Sequence, residues 1–386
     1  MVRNFKVERH HARIVSKSTL FKVLDYLDSR EITTPCLLVD KEKVREKVSL
    51  IGRGIRNAKV FYALKANPDM DIASFLQDER DLGYEISSEG ELNVLASVGV
   101  RAERIISSNP VKSEKFLQAA FAYGVRRFAF DSSLEVDKMA RLTPGAGVYV
   151  RLSVPNEGSE WPLSRKFGAE LEEALGLLSL AREKGLDPIG ITFHVGSQCT
   201  NLYNWNIALD KAKILWDRAL VQGIALRILN IGGGYPINYT RAVLGIETIE
   251  ENIDKLIREK FPPDVEVHIE PGRAVVGDAG ILAASVIGKA KRRDENWLYI
   301  DVGVFNGLME SVGGIRYTYL VESSKGTRRN WVLGGPSCDS FDVIDKNVVL
   351  WEPDLNNLLL ILSGGAYTVS YASEFNGFSI PKTVMI

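Results

Sequence analysis

The sequence predicts an α/β protein: a (β/α)8 barrel followed by a C-terminal β-rich domain. Three observations carry this. Eight short apolar runs alternate with helix-patterned segments between residues 59 and 270. A polar residue or a glycine turn stands at or just past the end of each run. After about residue 275 the helical segments thin out, and apolar runs follow one another across turn residues.

The runs are KVFYAL (59–64), LGYEI (82–86), RIIS (104–107), RFAFD (127–131), GVYVRL (147–152), IGITFHV (189–195), LRILNIG (226–232) and VEVHIE (265–270). Helical segments lie between them. SEGELNVLASVG opens with a Ser-x-x-Glu capping pattern at Ser88 and Glu91. VKSEKFLQAAFAYG and AELEEALGLLSLAREKG both end in Gly, a common helix stop. SVPNEGSEWPLSRKFG, 153–168, is long and polar and reads as a loop insertion. A doubly wound sheet gives a similar rhythm, so the polar ends decide. Lys65, Glu85, Asn109, Asp131, Arg151, His194, Gly232–Gly234 and Glu270 all fall at strand ends, which in a barrel converge on one mouth.

The barrel is placed at 41–274. NWLYIDVG, IRYTYLV, NWVLGGP and NLLLILSGGAYTV read as strands of the β domain. PCLLVD (35–40) precedes the barrel and reads as one more, so the β domain is expected to be discontinuous, 1–40 with 275–386.

Composition removes several classes. In 386 residues, 48 basic side chains balance 49 acidic ones, which gives no basic excess for nucleic acid or an anionic membrane. Cys36, Cys199 and Cys338 stand far apart with no CxxC pair, and no HExxH helix occurs, so no metal site is expected. The N-terminus lacks the apolar core of a signal peptide, and no apolar run approaches the roughly 20 residues of a membrane span. The expectation is a reducing, cytoplasmic setting.

Lys65 follows an apolar run into the mouth, where burial would favour the neutral amine that forms imines. Gly232–Gly234 follow the seventh strand, where barrels often bind phosphate on backbone N–H groups; a tight loop is the plainer reading. Glu270 and Arg273 in HIEPGR are either an ion pair or two ligands, the acid for a protonated ring nitrogen and the arginine for a phosphate. His194 is either a core residue or an imidazole stacked on a flat ring, with Ser197 behind it. His268 reads as barrel filling, and His10 and His11 as exposed. Cys338 and Asp339 share a turn-rich segment; Tyr367 and Phe375 lie further on. A lysine, a phosphate nest, an acid and a stacking imidazole together are what pyridoxal phosphate needs.

Through FYALKANP, WPLSRKFG, FHVGSQ, NIGGGYP, EPGR, GPSCDS and GAYTVSYASEFNGF, the chain resembles the group IV pyridoxal-phosphate decarboxylases. This is the family of ornithine, diaminopimelate and related amino-acid decarboxylases, and the bacterial ornithine and lysine/ornithine members look most similar. The resemblance runs from about Pro35 onward. It implies an alanine-racemase-like (fold type III) architecture and decarboxylation of an L-amino acid, ornithine to putrescine first, for polyamine synthesis. It also implies a homodimer with shared active sites.

By the same resemblance Lys65 carries the cofactor, His194 stacks on it and Glu270 keeps its ring nitrogen protonated. Ser197, Gly232, Gly233, Gly234, Arg273 and Tyr367 hold the phosphate, while Glu85, Glu91 and Arg151 support the site. Cys338 and Asp339 come from the partner subunit, the thiol to protonate the product carbon and the acid to meet the distal amine; Phe305 and Phe375 wall the site. Three departures stand out. Glu85 replaces a more usual Asp, and Phe305 replaces a tyrosine of eukaryotic members. In FNGLMESVGGIRY, 305–317, the usual substrate acid falls at Gly313 or Gly314, which leaves Glu310 and Asp339 as candidate acids. Lysine or a modified amino acid therefore stays open as substrate.

Three alternatives are weighed against this. A racemase wants an arginine at the ring nitrogen, where Glu270 stands. A non-catalytic cofactor carrier resembles the barrel alone. A metal-dependent hydrolase wants clustered His and Asp ligands.

Overall fold

A computed structural model describes residues 3–79, 81–161, 166–323 and 326–386. Residues 162–165 of the WPLSRKFG motif lie outside the described residues. The chain forms two compact units.

One unit, 48–236 with 244–272, is the barrel. Its strands are Ala58–Ala63, Leu82–Glu85, Ile105–Ile106, Arg127–Phe130, Gly147–Arg151, Asp187–Thr192, Ile228–Asn230 and Glu266–Ile269. They fall on the eight apolar runs. Successive strands pair in parallel, and the eighth returns to the first through Val267 opposite Ala58. The ring closes between the third and fourth strands. Ser107 bridges Phe128, with its N–H on the Arg127 carbonyl at 3.1 Å and its carbonyl taking the Ala129 N–H at 2.8 Å. Tyr149, Ala129, Ile189 and Ile228 pack as one buried cluster.

The helix signals translate directly. Helix Glu89–Ser97 starts with Ser88 Oγ accepting the Glu91 N–H at 3.2 Å. The Glu91 carboxylate reaches back to the Ser87 N–H at 2.6 Å, one residue earlier than in a standard capping box. Helix Glu114–Tyr123 stops at Gly124, whose φ of 114° suits glycine alone. The insertion after residue 152 contributes a strand, Ser159–Trp161, antiparallel to Ser197–Cys199.

The other unit comprises 1–47, 237–243 and 273–386. Its eight-stranded sheet takes in Cys36–Val39, which pairs antiparallel with Gly280–Arg292 and parallel with Lys382–Met385. Glu295–Ile300, Tyr319–Val321, Arg328–Gly334 and Leu358–Ile361 match expected runs. Gly280–Arg292, Val343–Trp351 and Lys382–Met385 were not expected. A helix, Lys17–Ser29, also escaped the sequence reading; Ser16 caps it by accepting the Thr19 N–H. Its Leu20, Val23 and Leu27 pack on Cys36, Leu38, Ile281 and Leu360. Residues 237–243 belong here because Thr318 Oγ1 donates to the Tyr239 carbonyl at 2.7 Å and Ser363 Oγ to that of Asn238 at 2.8 Å. Among the described residues no helix is long and apolar enough to cross a membrane.

Candidate active site

The first barrel strand runs into a single 3-10 turn, Leu64–Ala66, which aims Lys65. Leu64 and Ala66 are fully buried, but the Lys65 side chain is 46% exposed. The burial expected of Lys65 therefore ends at its neighbours. Its Nζ lies 2.8 Å from Glu85 Oε2, on the second strand. Glu85 is 1% exposed, and its other oxygen takes the Ser108 N–H at 3.3 Å. Behind it, burial and the Glu85 charge push the Glu91 carboxyl up to about 7.

Glu270 ends the eighth strand and is 5% exposed. Its Oε1 accepts Asn230 Nδ2 at 2.5 Å and the Ser108 hydroxyl. Ser108 Oγ also lies 3.1 Å from the buried Tyr149 hydroxyl. Burial first, and the Glu85 charge second, raise the Glu270 carboxyl above its ordinary range. Arg151, at the end of the fifth strand, is 9% exposed, and its carbonyl takes the Ala169 N–H at 2.9 Å.

His194 follows the sixth strand and is half-buried. Its Nδ1 accepts the Gly196 N–H at 2.9 Å, so the neutral ring carries its proton on Nε2. Burial, then Arg151 and Lys65, hold its pKa well below the usual histidine value. Ser197 begins the short strand opposite Trp161. The Gly232–Gly234 loop is wedged between neighbouring strand ends. Glu270 N–H donates to the Gly232 carbonyl at 2.7 Å, and Cys199 N–H to that of Gly234 at 2.9 Å. A Cβ on Gly233 would lie 2.5 Å from the Glu270 carbonyl oxygen, and one on Gly234 2.6 Å from that of Gly196. Asp131 and Asn109, also read as strand-end residues, hold loops instead: Asp131 takes the Gly168 N–H, and the Asn109 carbonyl takes Lys112 Nζ.

The β unit holds the remaining expected residues. Arg273 is 3% exposed and forms a two-pronged pair with Glu310, at 2.7 and 2.6 Å. It also donates to the Tyr239 hydroxyl and lies 4.7 Å from the centre of the Tyr367 ring. Glu310, expected as a substrate acid, thus has both oxygens committed inside the protein. Cys338 and Asp339 are exposed. Asn376 Oδ1 lies 3.2 Å from the Cys338 thiol and also takes its N–H. Asp339 accepts the Phe341 N–H at 2.8 Å. Phe305 packs against Phe375 and Phe341, at ring separations of 4.6 and 6.2 Å. Beneath this loop, buried Asp342 takes the N–H groups of Val304 and Ser337.

Residues 41–277 match the family model for the pyridoxal-binding domain of pyridoxal-dependent decarboxylases. The chain belongs to this family. A lysine/ornithine decarboxylase of Selenomonas ruminantium is 38% identical over 92% of this chain and 91% of its own. The ornithine decarboxylase of Mus musculus is 33% identical over 83% of this chain and 74% of its own. Among solved structures, a lysine/ornithine decarboxylase of Vibrio vulnificus complexed with cadaverine superposes with a TM-score of 0.88. It is 30% identical and covers 97% of this chain and all of its own.

Pyridoxal phosphate is the cofactor of this decarboxylase, and its barrel fits that group. The glycine loop presents backbone where any Cβ would strike a neighbouring carbonyl. The imidazole beside it is neutral, and a buried acid closes the eighth strand. Sequence reasoning missed Ser108, Asn230, Tyr149 and Asp342. Two of these had a signal. Ser108 directly follows the third apolar run, and Asn230 sits two residues before the glycine triplet.

Proposed function

We propose that this decarboxylase acts on a basic L-amino acid, L-ornithine first and L-lysine second, releasing carbon dioxide and putrescine or cadaverine. The observation that carries this is Glu270: a buried carboxylate, not an arginine, ends the eighth strand in the same mouth as Lys65. A carboxylate there keeps a ring nitrogen protonated, which favours decarboxylation over racemisation. The names of the similar proteins, lysine/ornithine and ornithine decarboxylases, support the substrate class.

When bound, pyridoxal phosphate supplies the electron sink that loss of carbon dioxide from an amino acid requires. The chain's own residues do the rest. Lys65 is the amine that holds the aldehyde, and Glu85 keeps that amine oriented at 2.8 Å. His194, neutral and fixed by Gly196, offers a flat face to the ring. Ser197, the Gly232–Gly234 loop, Arg273 and Tyr367 would hold the phosphate, with Glu310 fixing the Arg273 guanidinium. Arg151 and Glu91 support the acid side of the mouth.

Cys338 and Asp339 would serve a second copy of the chain in a homodimer. Exposed Phe341 and Phe375 beside the thiol form an apolar edge that a second copy would cover. The Cys338 thiol would return a proton to Cα. Asp339 would take the distal ammonium, because Glu310 is spent on Arg273. Phe305, Phe375 and Tyr367 would line that pocket. A polyamine-supplying role in the cytoplasm suits this chemistry and the three free thiols.

Lys65→Ala tests the core of this reading. The variant, purified with pyridoxal phosphate, is expected to lose the bound-cofactor absorbance and carbon dioxide release together. Unchanged absorbance would remove Lys65 from its role.

A further inference from the structure

Glu270 does not present its two oxygens alike. Oε1 receives two neutral donors, Asn230 Nδ2 at 2.5 Å and the Ser108 hydroxyl. Asn230 Nδ2 also lies 3.3 Å from Ser108 Oγ, so the three groups form one tight cluster. Oε2 has no hydrogen-bond partner among the described residues, in a side chain only 5% exposed. A carboxylate accepts on both oxygens, and a buried one left half-satisfied is costly unless something else completes it.

We propose that Ser108 and Asn230 are positioning residues that clamp Oε1 of Glu270, so that Oε2 alone faces the protonated ring nitrogen of pyridoxal phosphate. The inference rests on the reading of Glu270 given above.

The clamp has an electrical side as well. The charged and titratable groups around Glu270 are Glu85 on the second strand, Lys65 after the first, and Tyr149 and Arg151 on the fifth. Burial and Glu85 disfavour the anion, while the two donors favour it. Neutral donors do this without adding a charge that would compete with the ring nitrogen. Asn230 is also held from its far end: its Oδ1 takes the Gly232 N–H at 2.9 Å. The amide is thereby locked with its NH2 toward Glu270, and one residue links the acid to the glycine loop.

Three variants test this, read by titrating pyridoxal phosphate onto the purified protein across pH 5–9. Ser108→Ala removes one donor. It is expected to weaken cofactor affinity several-fold and to move the acid limb of the binding profile to higher pH, because Glu270 then takes up a proton more readily. Asn230→Asp places a second carboxylate on Oε1. The pair should share one proton and bind cofactor near wild-type strength at low pH, then lose it as pH rises and both ionise. Glu270→Gln is the reference and should weaken binding with no such limb. Wild-type pH profiles in both Ser108→Ala and Asn230→Asp, with Glu270→Gln impaired, would overturn the clamp alone. An unimpaired Glu270→Gln would overturn the role of Glu270 itself. Thermal unfolding of each cofactor-free protein separates loss of fold from loss of the clamp. If Asn230→Asp fails to fold, the acid limb of Ser108→Ala decides.

Discussion

Glu310 places one carboxylate oxygen 2.7 Å and the other 2.6 Å from the Arg273 guanidinium, with both side chains 3% exposed. The pair lies 37 residues apart in sequence. It joins the segment after the eighth barrel strand to the segment where a substrate acid was sought. Removing one partner strands a buried charge, which typically costs about 3–5 kcal/mol. Glu310→Ala is therefore expected to destabilise the protein by about that amount, measured by denaturant unfolding. A loss confined to substrate KM, with stability unchanged, would return Glu310 to the substrate side.

Gly233 has an ordinary backbone conformation, so space alone decides what it tolerates. A Cβ there would sit 2.5 Å from the Glu270 carbonyl oxygen, a backbone atom that cannot rotate away. Gly233→Ala should shift the loop and cost about 1–3 kcal/mol of stability, as overpacking does. It should also weaken pyridoxal phosphate binding at least about tenfold, since the loop's N–H groups must keep their aim. Cofactor titration and thermal unfolding check both parts.

Glu91 yields a pH prediction. Its carboxyl is pushed from 4.5 up to about 7 by burial and by Glu85. Between those values the folded protein binds more protons than the unfolded chain, so this group's contribution falls as pH rises. A glutamine carries no such penalty and still offers an oxygen to the Ser87 N–H. The stability of Glu91→Gln relative to wild type should therefore improve by about 3 kcal/mol as pH rises from 4.5, mostly below pH 7, and level off above about pH 8. Parallel unfolding curves at pH 5, 6, 7 and 8 measure it; a flat difference would contradict the raised value.

How much was legible follows from range. The barrel strands are short-range objects: apolar runs with polar ends, and all eight fell where the sequence put them. Gly280–Arg292 was not seen because its opening run, GILAA, is buried with no alternation and rich in small residues. Val343–Trp351 hid because its exposed side is charged, as in IDKN. The site split the same way. Lys65, His194, Gly232–Gly234 and Glu270 each sit inside a recognisable local pattern. Ser108 meets Glu270 across 162 residues and Glu310 meets Arg273 across 37, and no local pattern encodes either contact. Lys65 is more exposed than its sequence context implies, because a strand's apolar run says nothing about how far the next side chain reaches.

The central claim is that the mouth of this barrel, with Lys65 and Glu270 in it, decarboxylates a basic amino acid. The most direct measurement is carbon dioxide release by the purified protein with pyridoxal phosphate, on L- and D-ornithine, L-lysine and neutral amino acids, with Lys65→Ala alongside. The expected result is release from L-ornithine, with L-lysine next, little from neutral or D-amino acids, and none by the variant. Interconversion of L- and D-amino acids without carbon dioxide release would contradict it.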